Sequence, residues 1–347
     1  MERMTTTARA VGALRSFAEL ATTPLLPADY LDLVAPLRAG ARLRARVVAV
    51  HPETRDAVTL VLRPGRDWAG HVPGQYVRVG VDVDGVRHWR AYSLTSQPGS
   101  REISVTVKAI PDGLVSTHLV RRSKPGDLLH LDQATGDFVM TDPVPAKTLF
   151  VTAGSGITPV MGMLRSHELP DAVVVHSSPT ADDAVFGGAL RRLHATGRIR
   201  LVEQHTDADG MLAPTDLDRL VPDLAERVVW ACGPTGMLDA LETHLPAVRT
   251  ERFRPTVVEP GDGGAISFTR SDKVVATDGA TTLLAAGESA GVLMPSGCRM
   301  GICFGCVVPL KDGAVRDLRN GTLTTAGEGV LVQTCVSAAA GACDLEI

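Results

Sequence analysis

The sequence of 347 residues lacks the features that mark membrane-spanning, secreted and nucleic-acid-binding chains. Its apolar runs all fall short of the ~18 residues of a spanning helix, and its first residues do not resemble a signal peptide. Charge is nearly balanced, with 35 Lys+Arg against 39 Asp+Glu and no basic block. We therefore expect no nucleic-acid partner, no transmembrane segment and a location in the reducing cytoplasm.

Cysteine is also scarce, with six residues, and four of the six follow one pattern, Cys298-x4-Cys303-x2-Cys306 and then Cys335. A disulfide framework belongs to small secreted domains, and zinc sites usually pair their cysteines as two C-x2-C units. The observed spacing is that of a plant-type iron-sulfur site. Glycines within Pro295–Cys306 permit the bends that bring backbone N–H groups to the sulfurs. We therefore predict these four cysteines as the ligands of a [2Fe-2S] cluster.

The pattern of apolar and polar residues changes several times along the chain, and its length fits three domains. Residues 1–40 are mostly helix-forming, with an apolar stripe that we expect to pack on the next domain rather than lie on a membrane surface. The predicted divisions are an N-terminal helical extension at 1–40, a β-domain at 41–143, an α/β domain at 144–254, a Pro/Gly-rich linker at 255–264 and a cluster domain at 265–347.

The second segment, residues 41–143, alternates apolar and polar residues with the period of two that is typical of strands. Asp84-Gly85 lies between two such runs and predicts a hairpin turn. Short strands separated by Gly, Pro and Asp indicate a small antiparallel β-barrel. A helix is expected over Leu114 to about Arg122.

The third segment, residues 144–254, alternates apolar strand-length runs with helical segments, which predicts a parallel sheet covered by helices. Gly154-Ser-Gly-Ile-Thr-Pro159 follows the first strand and opens a helix, where backbone N–H groups can face a pyrophosphate. Cys232-Gly-Pro234 follows a later strand of the same predicted sheet. The two turns together indicate one ligand at the carboxyl edge. Cys232 alone fits a buried small residue equally well, and Cys343 is expected to lie in the core.

One predicted strand of the barrel carries three polar side chains in alternating register. Arg90 can clamp a phosphate, Tyr92 can stack on a ring, and Ser93 can donate a hydrogen bond, which together suit a flavin. Gly113 and Ser116 open the following helix, whose N-terminus can hold the flavin's phosphates.

Taken together, these motifs resemble those of ferredoxin-NADP reductase-like flavoproteins fused to a plant-type ferredoxin. The resemblance rests on Arg90-x-Tyr-Ser93, Gly113-x-x-Ser116, Gly154-x-Gly-x-Thr-Pro159, Cys232-Gly-Pro234 and the cysteine pattern, in that order. It implies a multidomain chain with an antiparallel β-barrel flavin domain, an α/β parallel-sheet nucleotide domain and a β-grasp α+β ferredoxin domain.

The resemblance also implies a role for each matching residue. Arg90 would contact the flavin phosphate, Tyr92 would pack on the isoalloxazine, and Ser93 would approach N5. Ser93, Thr158 and Cys232 would form the catalytic set, the last two beside the nicotinamide. The other implied cofactor contacts are Gly113, Leu114, Val115, Ser116 and Thr117 at the FAD pyrophosphate, Gly154, Gly156, Pro159, Gly233 and Pro234 at the nucleotide, and Phe253 over the flavin.

Two of these assignments have alternatives. Phe253 can instead be an ordinary interdomain packing residue. FAD is favoured over FMN because the Gly113–Ser116 turn suits a diphosphate, although some three-domain relatives carry FMN.

Nucleotide preference depends on the end of the second strand of the α/β domain. This strand ends in Ser177 and Ser178 rather than in the acid that binds a ribose 2′-OH, which favours NADPH. The Arg expected for a 2′-phosphate is replaced by Pro179 and Thr180, so the two serines, with help from Arg191, would have to bind it. NADH remains the alternative donor.

The predicted function is an NAD(P)H-dependent reductase that passes electrons through FAD and a [2Fe-2S] cluster to an oxygen-activating acceptor. Pro24–Leu31 and Val83–Leu94 resemble reductase partners of stearoyl-CoA desaturases most, so a membrane diiron acyl-CoA desaturase is the favoured acceptor and would bring the chain to the membrane. The alternatives are the reductase component of a Rieske oxygenase or cytochrome P450 system and, in another class, a flavin- and iron-sulfur-bearing redox sensor.

Overall fold

The computed structural model describes residues 27–83, 85–111, 113–253, 261–299, 301 and 304–347. Within these residues the chain forms three β-sheets with flanking helices, so the predicted multidomain fold class is confirmed. Residues 1–26 of the predicted extension and 254–260 around the predicted linker lie outside the described part. The predicted domain boundaries stay predictions.

A short helix, α1 (Pro27–Val34), precedes the first sheet. The sheet consists of six antiparallel strands in the order β4-β3-β6-β1-β2-β5. The strands are β1 (Arg44–Thr54), β2 (Ala57–Pro64), β3 (Tyr76–Val83), β4 (Val86–Ser93), β5 (Ile103–Lys108) and β6 (Leu128–Leu131). A bridge between Leu94 and Val105 joins the two edge strands. This bridge closes the sheet toward a barrel and leaves little unpaired edge.

The barrel core explains the alternation in its sequence. Val77, Val79 and Val81 of β3 are buried, and the residues between them face outward or toward the site. Val83 pairs with Val86 across the predicted hairpin turn, and Gly85 has the positive φ of 79° that such a turn requires. The predicted helix, α2 (Leu114–Arg122), follows β5.

The second sheet is parallel and buried on both faces, which explains the continuous apolar runs in its central strands. Its strands are β7 (Lys147–Ala153), β8 (Asp171–Ser178), β9 (Arg200–His205), β10 (Val228–Cys232) and β11 (Arg249–Glu251). The helices between them are α3 (Ile157–Ser166), α4 (Gly187–Ala195), α5 (Thr206–Asp209), α6 (Asp216–Leu220) and α7 (Thr235–His244). Two apolar clusters, one on each face, cover the sheet.

Strand order in this sheet is β11-β10-β7-β8-β9. The chain therefore leaves β7 toward one edge of the sheet and later returns to the other side of β7 through β10. Such a reversal opens a crevice outside the carboxyl ends of the two strands, where α/β proteins bind their ligands. Both glycine-rich turns of the sequence, after Ala153 and after Cys232, lie at this crevice.

The C-terminal part forms a mixed sheet packed on one helix. Its elements are β12 (Gly261–Phe268), β13 (Lys273–Gly279), α8 (Leu283–Ser289), β14 (Val307–Asp317), β15 (Leu323–Thr325), β16 (Leu331–Gln333) and β17 (Ser337–Leu345). β12 and β17 are parallel, and the other pairs are antiparallel. The Thr282 hydroxyl caps α8 by accepting a hydrogen bond from the Ala285 amide at 3.2 Å. Cys343 is buried in this core, as expected.

The barrel and the parallel sheet share a packed interface. Phe138 and Met140, which follow the barrel strands, belong to the same apolar cluster as Phe150 and Trp230 of the parallel sheet. The Trp230 indole Nε1 donates to the carbonyl of Val139 at 3.3 Å. Among the described helices, none is long and apolar enough to cross a membrane.

Candidate functional site

The predicted flavin residues lie together at the end of β4. Ser93 is 4% exposed and pairs with Tyr76 of β3. Among the described residues, the buried Tyr92 hydroxyl has no hydrogen-bond partner, and burial raises its pKa. Arg90 is largely buried and donates to the Trp89 carbonyl at 2.7 Å, and its burial and the nearby Arg299 lower its pKa. A buried hydroxyl and a desolvated cation without a carboxylate partner fit a polar ring system that carries phosphate.

The Ser116 side chain stabilises the turn that opens α2. The Ser116 hydroxyl donates to the Gly113 carbonyl at 3.2 Å and accepts from the Ile110 amide at 3.3 Å. A Cβ atom on Gly113 would collide with that hydroxyl. Among the described residues, no side chain caps the helix, so its first backbone N–H groups are what the turn offers to a pyrophosphate. The assignment of Gly113, Leu114, Val115, Ser116 and Thr117 stays a prediction.

The first nucleotide turn is a short 3-10 segment, Gly154–Gly156, that leads directly into α3. Gly154 has a φ of 54°, which favours glycine. The Thr158 hydroxyl is buried and donates to the Ser155 carbonyl at 2.9 Å, which fixes the turn. Pro159 lies in the first helical turn, where its missing N–H costs nothing.

The second nucleotide turn, Cys232-Gly-Pro234, packs against the first. A Cβ atom on Gly156 would overlap the Cys232 carbonyl oxygen and lie 2.9 Å from the Gly233 amide nitrogen. The Cys232 side chain is fully buried, and burial, with a contribution from Glu251, raises its pKa well above the ordinary value. Cys232 is therefore a neutral thiol at the wall of the crevice and not a thiolate nucleophile.

Ser177 and Ser178 end β8 and are almost fully buried. The Ser178 hydroxyl donates to the Thr180 carbonyl at 2.8 Å. Arg191 of α4 makes two hydrogen bonds with Glu203, at 2.9 Å and 2.8 Å. Because this pairing uses its charge, Arg191 is a poorer phosphate ligand than its sequence position indicated.

Three of the four predicted cluster ligands are placed by the structure, and Cys303 lies outside the described residues. Cys298, Cys306 and Cys335 are each at most 6% exposed. The side chains of Cys306 and Cys335 are within hydrogen-bonding reach of each other, and this contact lowers the pKa of Cys306. The Gly301 backbone N–H donates to the Cys335 sulfur. Buried thiols that meet each other and a backbone N–H group fit a [2Fe-2S] cluster.

The loop around these cysteines is tightly held. Arg299, Gly301 and Phe304 all have φ between 53° and 75°, a region that favours glycine. Arg319 and Gln333 each donate to the Gly301 carbonyl at 2.9 Å. Among the described residues, which include three of the four predicted ligands, no three His, Cys, Asp or Glu side chains lie close enough together to hold a metal ion.

Tyr76 lies within electrostatic range of residues from the nucleotide sheet and from the cluster loop. Its pKa is raised to about 12 by burial and by the nearby Glu251 and Cys298. Glu251 ends β11, and burial, with Asp137, raises the pKa of its carboxyl to about 7. Cys298 is a predicted cluster ligand. The junction formed by Tyr76, Glu251 and Cys298 is thus an electrostatic link between the flavin barrel, the nucleotide sheet and the cluster loop.

Sequence reasoning missed Tyr76 and Glu251. Two signals could have found them. Tyr76 belongs to the strand before the hairpin turn, which pairs with the Ser93 end of β4. Glu251 lies two residues before Phe253. Phe253 itself is half-buried against the apolar cluster of the parallel sheet. Its predicted place over the flavin stays a prediction.

Comparison with known proteins gives the family. A model described as an oxidoreductase FAD-binding domain matches residues 29–140, and one described as a 2Fe-2S iron-sulfur cluster binding domain matches residues 268–340. An NADPH oxidoreductase of Mycobacterium tuberculosis is 48% identical over 352 residues, with 96% of this chain and 92% of the relative covered. The chain belongs to the FAD- and [2Fe-2S]-containing NAD(P)H oxidoreductases. The reductase therefore transfers electrons from NAD(P)H with FAD and a [2Fe-2S] cluster as cofactors.

Other relatives of the reductase span the same length. An NADH oxidoreductase of Escherichia coli, HCR, is 34% identical over 311 residues, with 84% of this chain and 94% of the relative covered. A glycine betaine monooxygenase reductase subunit of Chromohalobacter salexigens is 29% identical, with 76% and 84% covered. The solved structure of phthalate dioxygenase reductase has the same fold, with a TM-score of 0.61, 21% identity, and 88% of this chain and 97% of that chain covered.

Proposed function

We propose that the reductase takes electrons from NADPH and delivers them singly to an oxygen-activating protein, with a diiron acyl-CoA desaturase as the favoured acceptor. FAD, when bound, accepts a pair of electrons from a nicotinamide and releases them one at a time. The proposed location is cytoplasmic, at a membrane surface only through the acceptor.

The observation that carries this proposal is the junction at Tyr76. Tyr76 of the flavin barrel lies within electrostatic range of Glu251 of the nucleotide sheet and of Cys298 of the cluster loop, since both raise its pKa. A path from nucleotide to cluster needs its three sites side by side, because the protein's contribution to such chemistry is distance and orientation.

The chain's own residues would act by positioning. Contact between Gly156 and the Cys232 carbonyl fixes the crevice in which the nicotinamide would lie. The neutral Cys232 thiol and the Thr158 hydroxyl are buried behind the two turns and would place no charge beside it. Ser93, buried at the end of β4, would hydrogen-bond the flavin ring, and Arg90 would neutralise its phosphate. These roles, and those of the other predicted contact residues, are proposals.

NADPH is proposed over NADH for two reasons. β8 ends in hydroxyls rather than in an acid that would repel a 2′-phosphate, and the relative that is 48% identical is an NADPH oxidoreductase.

A second acceptor class is proposed because of the glycine betaine monooxygenase reductase relative. In that case the electrons would go to the terminal oxygenase of a Rieske or cytochrome P450 system. The desaturase is preferred because Val83–Leu94 resembles desaturase reductases, and this stretch includes the flavin strand.

The proposal is tested by anaerobic titration and by reconstitution. NADPH and NADH are added in parallel to the purified reductase while flavin and cluster absorbance are followed. The reduced protein is then mixed with membranes that contain an acyl-CoA desaturase, with a Rieske oxygenase, or with a cytochrome P450. Desaturation driven by NADPH supports the favoured acceptor. Turnover only with an oxygenase would replace it, and bleaching of the flavin without the cluster would contradict the electron path.

A further inference from the structure

The carboxyl ends of β8 and β9 form the edge at which NADP-dependent α/β proteins bind the 2′-phosphate, usually with an arginine. Residues 177–183 and 203–210, which make up this edge, contain no lysine or arginine. Arg191 is engaged with Glu203. The basic side chain that remains in these two stretches is His205, the last residue of β9.

His205 is held beside Ser178. The two residues are partners in the parallel register of β8 and β9, and the Ser178 hydroxyl oxygen lies 3.4 Å from His205 Nδ1. Because that hydroxyl already donates its proton to the Thr180 carbonyl, it accepts a hydrogen bond from the imidazole Nδ1–H. Within the part of the chain that the structure describes, Nε2 of this half-buried ring has no partner.

We propose that His205 is the residue that recognises the 2′-phosphate of NADPH, with Ser178 orienting its ring. Ser178 is not the direct donor to the phosphate, because its single proton is already used. A doubly protonated imidazole bound to Ser178 through Nδ1 presents Nε2–H as a charge-assisted donor to a phosphate oxygen. This inference rests on the proposed preference for NADPH.

The carboxylates near His205 affect how tightly this site can bind a phosphate. Glu203 is paired with Arg191, and Asp183 accepts a hydrogen bond from Thr180 and pairs with Arg55 at 3.3 Å. Asp207 and Asp209 lie in the next turn and are exposed, and the Asp209 carboxylate accepts the His205 amide at 2.9 Å. An exposed carboxylate next to the ring opposes an incoming phosphate, so Asp209→Asn should tighten its binding.

The test compares two nucleotide fragments that differ in the 2′-phosphate. Inhibition constants of 2′,5′-ADP and 5′-AMP are measured on the FAD-loaded, full-length reductase for the wild type, His205→Gln, His205→Arg and, as a matched histidine elsewhere, His244→Gln. We expect the preference for 2′,5′-ADP to fall about tenfold in His205→Gln, the size of one lost charge-assisted hydrogen bond. The preference should be retained or increased in His205→Arg.

The outcomes separate the two proposals. If the wild type binds 5′-AMP as tightly as 2′,5′-ADP, the preference for NADPH fails, and the role of His205 fails with it. If the wild type prefers 2′,5′-ADP and His205→Gln keeps the full preference, only the role of His205 is overturned. Equal weakening of both fragments in His205→Gln would also overturn it, since this would indicate a damaged fold and not a lost phosphate contact. Flavin absorbance reports whether the variants remain folded.

Discussion

Gly156 and Cys232 are in direct backbone contact, so that a Cβ atom on the first would overlap the carbonyl oxygen of the second. This contact joins the two turns at the point where the strand order of the parallel sheet reverses. It gives a steric reason for glycine at position 156, in addition to the predicted role of this turn in nucleotide binding.

Replacement of Gly156 by alanine should therefore separate the two turns. We expect NADPH-dependent reduction of ferricyanide to fall at least tenfold and the free energy of unfolding to fall by about 1–3 kcal/mol, as in other overpacked interiors. Gly188→Ala is the control, because a Cβ there meets only the end of the Arg192 side chain, at 3.5 Å. Wild-type activity in Gly156→Ala would contradict the placement of the nucleotide at this contact.

Replacement of Cys303 by serine should stop electron transfer through the cluster and leave reduction of the flavin intact. The variant should still reduce ferricyanide with NADPH, because that small acceptor can take electrons from the flavin. It should lose cluster absorbance, bound iron and the reduction of cytochrome c. Cys343→Ala, in the core of the same domain, should keep all of these activities. Loss of ferricyanide reduction in a folded Cys303→Ser protein would show that the flavin site depends on the cluster.

Replacement of Glu251 by glutamine should stabilise the reductase more at high pH than at low pH. Because burial raises the pKa of Glu251 from 4.5 to about 7, the folded protein binds a proton in this window that the unfolded chain has released. Stability of the wild type is therefore lost as the pH rises from 4.5 to 7. The gain of the variant should grow across this window to about 3 kcal/mol, at about 1.4 kcal/mol for each pKa unit.

Thermal unfolding at pH 5, 6, 7 and 8 measures this effect of Glu251. Glu328→Gln, at an exposed position, is the control. A difference between Glu251→Gln and the wild type that does not change with pH would show that the carboxyl is not desolvated at the junction.

Replacement of Phe304 by alanine should slow delivery of electrons to protein acceptors. The ring is 69% exposed, next to a predicted cluster ligand, and its residue has a φ of 53°. An exposed aromatic held in a strained loop is typical of residues that bind a partner. We expect about a tenfold lower rate with cytochrome c and an unchanged rate with ferricyanide. Leu323→Ala, 55% exposed on β15, is the control, and equal losses in both variants would contradict a specific role.

Much of the fold could be predicted because each domain has its own pattern of apolar residues. Residues 41–143 alternate apolar and polar residues, whereas residues 144–254 alternate apolar strand-length runs with helical segments. Helix α2 was expected over Leu114 to about Arg122 and has those bounds. Helix α4 begins only at Gly187, because Phe186 takes a left-handed φ of 61° before it. A single residue in that conformation leaves no trace in hydrophobic periodicity.

Site residues could be predicted where they belong to one sequence motif. They could not be predicted where they come from several elements of the fold. Arg90, Tyr92 and Ser93 come from one strand, and their proximity follows from its register. Tyr76, Glu251 and Cys298 are far apart in the sequence, and only the fold brings Glu251 and Cys298 within electrostatic range of Tyr76. The pairing of Arg191 with Glu203 likewise depends on how α4 lies on β9.

The apolar cluster that Phe138 and Met140 share with Phe150 and Trp230 has a consequence for how such chains can be recombined. The barrel and the parallel sheet cannot be exchanged separately without removing residues from this shared cluster. The core of the cluster domain draws its described members only from residues 266–347. An engineer, or a gene fusion, could thus replace the C-terminal cluster domain while keeping the flavin and nucleotide parts as one inherited block.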